Sequence, residues 1–223
     1  MYRERVARLP GAVVWQSVPT PDDPADKRVL PDGCMDLMWS GGELLVAGPD
    51  THAHVGPVAS YTAIRFAPGT APSLLGVPAH ELRDQRVRLV DLWPADRVRR
   101  LTSRIASAGK PGAALEYAAL ELMGDADPAM SELVRRLRAG SAVATAAAGG
   151  GFSERQLHRR SLAAFGYGPK LLGRILRLNR ALDLARAGMP YATVAAQTGY
   201  ADQAHLSRDV KALAGVPLRV LLS

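Results

Sequence analysis

Thr193-Val-Ala-Ala-Gln-Thr198, then Gly199-Tyr-Ala201, then Asp202 before Gln203-Ala-His-Leu-Ser-Arg-Asp-Val-Lys-Ala-Leu213, is the stretch that decides the fold. It reads as a short helix, a tight turn and a longer helix. The glycine sits where the chain bends between two helices. The side-chain oxygen of Asp202 is placed to satisfy orphan amides at the start of the second helix. The pattern recurs upstream. Val143–Ala148 is a short helix, Gly149-Gly-Gly151-Phe152 the turn, and Ser153 the cap of a longer helix, Glu154–Phe165.

The two units keep one offset of 49 residues. It relates Leu157 to Leu206, Arg159 to Arg208 and Gly166 to Gly215. In each, leucine faces the core, arginine faces outward and glycine closes the helix. A repeat that keeps a buried and an exposed position argues for duplicated function as well as duplicated packing. Between the units runs Pro169–Arg186. Leu171, Ile175, Leu178, Leu182 and Ala185 form one stripe at helical spacing, with Arg174, Arg177 and Arg180 off it. At about 1.5 Å per residue this rod is roughly 27 Å long, against about 34 Å between successive major-groove segments on one face of a duplex.

Charge follows the same division. Residues 1–130 carry 14 Lys/Arg and 16 Asp/Glu, a balance of −2, whereas residues 131–223 carry 14 and 5, a balance of +9. The asymmetry points the C-terminal part toward a polyanion.

The N-terminal part reads as β-rich. Arg28–Leu30, Cys34–Trp39, Glu43–Ala47, Thr51–Val55 and Tyr61–Phe66 are short apolar runs separated by Pro31-Asp-Gly33 and Ser40-Gly-Gly42. An antiparallel sheet or small barrel is expected. Helices are expected over residues 71–75, 78–82, 95–108 and 113–123. Asp127 before Pro128 is a helix start, and the domain boundary is placed there, giving domains of residues 1–127 and 128–223. Helices then follow at about 128–139, 142–148, 153–165, 169–187, 192–198, 202–214 and 217–222.

One cysteine, Cys34, permits no intrachain disulfide. No apolar run is long enough for a signal peptide or a membrane span, so a cytoplasmic protein without membrane association is expected. His52-Ala-His54 alternates as on one strand face, but no third ligand stands at metal spacing, and no metal or cofactor is expected. Cys34 reads as a small buried thiol, with a reactive or methyl-accepting thiol as the alternative, and Trp15, Trp39 and Trp93 read as core, with the lining of a ligand pocket as the alternative. No phosphate loop, nucleophile elbow or zinc-protease motif occurs, so no catalytic residue and no enzyme activity are expected.

The C-terminal segment resembles the DNA-binding domain of the AraC/XylS family of bacterial transcription regulators. The resemblance rests on Ser153, Arg155, Leu157, Arg159, Gly166, Pro169, Arg174, Arg177-Leu178 and Ala181. In the second half it rests on Val194-Ala195, Gly199-Tyr200, Asp202-Gln203, His205-Leu206, Ser207-Arg208, Lys211, Gly215 and Val216. Ser161 and Val210 stand where the family usually has Phe, and Pro217 falls one place early. Residues 29–39, 45–50, 64–66 and 75–78 resemble an N-terminal domain joined to this DNA-binding domain in actinobacterial regulators. The resemblance implies an α+β chain: a β-rich, cupin-like barrel with trailing helices that binds an effector or dimerises, then an all-α double helix-turn-helix domain. It implies double-stranded DNA as partner, with a small-molecule effector, a homodimer contact and RNA polymerase as further partners.

On the first recognition helix Arg155, His158 and Arg159 are expected outward. On the second, Gln203, His205, Ser207 and Arg208 are, with Lys211 near phosphates. Arg matches guanine O6 and N7, and Gln matches adenine N6 and N7. Amides at both helix starts, Ser153 among them, suit phosphate oxygens. The family's base-contacting positions fall on Arg155, His158, Arg159, Gln203 and Arg208, while Ala204 offers at most a methyl. Two other readings stay open: a cupin-like metal-dependent enzyme tethered to DNA, and an effector-free architectural DNA binder.

Overall fold

The computed structural model describes residues 1–148 and 151–222. Gly149 and Gly150, where the sequence places the first turn, lie outside the described residues, as does Ser223.

Eight strands open the chain: β1 (Tyr2–Val6), β2 (Val13–Ser17), β3 (Asp26–Val29), β4 (Met35–Ser40), β5 (Glu43–Ala47), β6 (His54–Pro57), β7 (Tyr61–Phe66) and β8 (Arg86–Arg88). Six form an antiparallel sheet in the order β1-β2-β7-β4-β5-β8, and β3 pairs with β6 as a separate ribbon. Side chains alternate between the two faces of the sheet. Val14, Leu37, Val46 and Ile64 face one core, shared with α1 (Ala71–Leu75), α2 (Ala95–Ala106) and α3 (Pro111–Leu122). Trp15, Met38 and Ala63 form a smaller cluster. The strand expected at 51–55 lies at 54–57, and β1, β2 and β8 were not foreseen. Every residue of β1 is exposed: it is a charged edge strand without the alternation that marks a half-buried one.

The C-terminal part is helical: α4 (Pro128–Arg138), α5 (Val143–Ala148), α6 (Glu154–Phe165), α7 (Pro169–Arg186), α8 (Tyr191–Thr198), α9 (Gln203–Ala214) and α10 (Leu218–Leu221). Asp127 caps α4, its Oδ1 accepting from the amides of Ala129 at 3.0 Å and Met130 at 3.4 Å. A second core links these helices through Met130, Leu157, Leu172, Ile175, Leu178, Val194, Leu206 and Val210. The buried side of α7 is wider than the stripe expected: Leu172, Leu176 and Ala181 are buried as well, while Leu171 and Ala185 are half-buried. The cause is position, since α7 packs against α4, α5, α6, α8 and α9.

The N-terminal part seats on the C-terminal helices at several points. Phe165, at the end of α6, lies against Gly69, where an added Cβ would meet its ring at 2.7 Å. Full burial of such a ring contributes about 1.5–3 kcal/mol. Asn179 of α7 donates to the Pro31 carbonyl at 2.9 Å. In the last turn of α9, the Leu213 carbonyl accepts from the Ala53 amide at 2.7 Å.

Candidate nucleic-acid interface

The start of α6 is fixed by a reciprocal pair. Ser153 Oγ accepts from the Gln156 amide at 3.3 Å, and Gln156 Oε1 accepts from the Ser153 amide at 2.9 Å. This capping box satisfies two orphan donors at once. The start of α9 is simpler: Asp202 Oδ1 accepts from the His205 amide at 2.6 Å. Leu157 and Leu206 then point inward and pin each helix to the shared core. Both helices end on a glycine in the left-handed region, Gly166 at φ +82° and Gly215 at φ +74°.

These anchors leave the opposite faces in solvent. Ser153, Arg155, His158 and Arg159 on the first unit are exposed, and so are Gln203, Arg208 and Lys211 on the second. Among the described residues the side chains of Arg155, Arg159, Gln203, Arg208 and Lys211 make no hydrogen bond or ion pair, so their donors stay open to an outside acceptor. Two expected residues differ. His205 is half-buried; its Nδ1 accepts from the Ala201 amide at 3.4 Å and its ring meets Tyr200 edge-on at 5.1 Å between centroids. That ring braces the turn. Ser207 is also half-buried. His158 lies beside the turn before α7, within 3.0 Å of where a Cβ on Gly168 would stand.

The stiffness between the units comes from Asp209, which the sequence reading passed over, and from the arginines of α7 that it placed off the buried stripe. Asp209 of α9 is only 5% exposed. It pairs with Arg174 of α7, lies 3.6 Å from Arg177 Nη2, and accepts from the Tyr200 hydroxyl at 2.8 Å. The Arg177 guanidinium also stacks over the Tyr200 ring at 4.2 Å. Burial together with the Asp209 charge pushes the Tyr200 hydroxyl pKa above its ordinary value. Arg180 donates to the Thr198 carbonyl at 3.1 Å. Arg174, Arg177 and Arg180 therefore stitch α7 to the second unit. The 49-residue offset carries Asp209 onto Arg160, which holds Asp127 at 2.5–3.0 Å. Each unit thus has a charge-pair anchor at the same helical position, with opposite polarity. Burial works against the Asp127 charge, but the Arg160 guanidinium and the two capping amides outweigh it and hold the carboxyl below the usual range. Ser161 and Val210 both fill the core, with Ser161 Oγ unpartnered among the described residues.

Residues 146–222 match the family model described as a helix-turn-helix domain. The chain carries an AraC-type helix-turn-helix domain. With it the protein is a DNA-binding transcription regulator. Residues 12–88 match a domain of unknown function, DUF6597. No curated protein matches the chain. Solved structures of ToxT from Vibrio cholerae are similar to it. One, at 10% identity, covers 95% of this chain and 96% of ToxT with a TM-score of 0.48. Another, bound to a methylnaphthalenyl butenoic acid, covers 99% and 98% at 11% identity with a TM-score of 0.49.

Where the N-terminal part meets the AraC-type domain, a cavity of about 430 Å³ lies between the six-stranded sheet, the β3–β6 ribbon and α7. Trp15, read from sequence as core, lines it together with Met38, Leu45 and Tyr61. Arg65, on its floor, lies 3.3 Å from Asp32 and 3.2 Å from Asp36. Burial opposes the Arg65 charge, yet the two carboxylates raise its pKa above the ordinary value. Burial also pushes Asp36 up, against the pull of Arg65. Cys34 is held well above the usual thiol range, chiefly by burial. His54 lines the cavity, whereas His52 lies 3.7 Å from Asp84. Among the described residues no three His, Cys, Asp or Glu side chains gather as a metal site, and no helix is long and apolar enough to cross a membrane.

Proposed function

We propose that the protein is a sequence-specific regulator that sets α6 and α9 into successive major-groove segments of one duplex, under control of a small effector held in the N-terminal cavity. The domain division at Asp127–Pro128 belongs to the same reading. The carrying observation is the pair Arg159 and Arg208. They occupy the same register 49 residues apart, each two places after a buried leucine, and both are exposed and without a side-chain partner among the described residues. Arg155 and Gln203 add base-reading donors, and Lys211 and the amides that follow the caps Ser153 and Asp202 in the first helical turns supply phosphate contacts. The cavity supports the effector role: its volume is in the range of small-molecule sites, and its lining sets charged side chains such as Arg28, Arg65 and Arg86 beside apolar ones such as Met38 and Leu45.

Selection of bound sequences from random DNA, followed by binding titrations, tests this. Arg159→Ala and Arg208→Ala should each cost about 1–3 kcal/mol on the selected site and relax preference at one base. The two relaxed bases should lie in different half-sites. Relaxation of the same base by both variants, or of none, overturns the reading.

A further inference from the structure

The cavity and the second recognition helix share one side chain. Arg28 of β3 lines the cavity, and its Nη1 donates to the Ala214 carbonyl at the end of α9 at 2.8 Å. The last carbonyls of a helix are unsatisfied and carry partial negative charge, so Arg28 caps α9 from outside the DNA-binding domain. The other strand of the ribbon reaches the same place. Ala53, immediately before β6, donates its amide to the Leu213 carbonyl. The ribbon thus grips the end of α9 at two successive carbonyls.

Charge around the cavity is unevenly spent. Arg65 is neutralised by Asp32 and Asp36, and Arg86 by Asp50 at 2.6–2.9 Å. Arg186 has Asp183 at 3.5 Å. The lining cations without a carboxylate partner among the described residues are Lys27, which stands over the Tyr2 ring at 5.2 Å, and Arg28. Both lie on the ribbon and line the cavity together with the apolar side chains of Trp15, Met38 and Leu45.

Resting on the effector reading above, we propose that the cavity takes a small organic anion with an apolar body, and that Arg28 is the switch through which it acts. The bound anion draws the Arg28 guanidinium from the Ala214 carbonyl, because a full negative charge is a stronger acceptor than a helix-end carbonyl. The ribbon then loosens its grip on α9, and the second recognition helix changes its hold on DNA while the first does not. Reciprocity follows: DNA that favours one position of α9 alters affinity for the anion by the same factor.

The experiment uses the full chain with benzoate and naphthoate as probes, and benzamide and naphthamide as their neutral counterparts. Binding is read from tryptophan fluorescence, and the ribbon–α9 contact from hydrogen exchange at the Ala53 amide. The carboxylates should bind at least about tenfold more tightly than the amides, as a charge-assisted contact requires, and should speed Ala53 exchange. Arg28→Ala should weaken carboxylate binding about tenfold, show fast Ala53 exchange without any probe and abolish the response. Arg28→Lys should keep part of both. Equal binding of amides and carboxylates overturns the anion assignment and leaves the effector reading standing. Carboxylate binding with unchanged Ala53 exchange overturns the switch, again without touching that reading. Failure of all four probes to bind overturns both.

Discussion

Asp209 and Arg208 are neighbours on α9, yet stability and DNA binding should separate cleanly between them. Asp209→Ala removes the acceptor of a Tyr200 hydroxyl whose residue is 4% exposed. Leaving that donor unpaired costs about 1–3 kcal/mol. The arginines facing Asp209 are less dependent on it. The Arg174 and Arg177 side chains are 39% and 30% exposed, so water takes up much of their charge, and each lost pair is closer to the 0–1 kcal/mol of a surface ion pair. The total is roughly 1–5 kcal/mol. Asp209→Asn, which keeps an oxygen toward Tyr200, should lose about half as much. Arg208 has no side-chain partner among the described residues, so Arg208→Ala should leave stability within about 0.5 kcal/mol while weakening DNA binding. Urea unfolding followed by far-UV circular dichroism measures the first effect and anisotropy titration the second. Equal stability of the Asp209→Ala and Arg208→Ala proteins would refute the assignment of Asp209 as the anchor of the second unit.

Two further changes probe the frame. Asp127 titrates below its unfolded value, so its contribution is complete above about pH 4 and is lost as pH falls through the folded pKa. Asp127→Asn should therefore flatten the acid side of the stability–pH curve, and an unchanged slope there counts against the Arg160 pair. Gly166→Ala meets backbone strain at φ +82° and a Pro49 Cγ only 2.6 Å from the new Cβ, whereas Gly199→Ala at φ +78° meets nothing within 4 Å. Gly199→Ala should cost about 1 kcal/mol and Gly166→Ala clearly more. Equal thermal midpoints would mean that the seat of α6 on the N-terminal part is softer than described.

The recognition helices were legible because their signals are local. Caps at Ser153 and Asp202, closing glycines and a leucine–arginine pair repeated at one offset all act within a turn or two of the residue that carries them. What escaped depends on distant partners. Asp209 looks like any surface acid until α7 supplies Arg174 and Arg177. A hint was present, since it falls three residues after Leu206 and four before Leu213, inside the buried stripe. The arginines of α7 looked free for the same reason. Trp15 is buried as its hydrophobicity predicts, and the ribbon crossing in front of the sheet makes it a cavity wall as well. Strand β1 has no apolar periodicity to read, because the neighbouring β2 alone makes it a strand.

Hydroxyl-radical footprinting of the full chain on a selected duplex most directly tests whether both helices engage one DNA molecule. Two protected patches about one helical turn apart on the same face are expected, with Arg159→Ala eroding one and Arg208→Ala the other. A single patch, or loss of both patches from either substitution, would contradict paired insertion of α6 and α9.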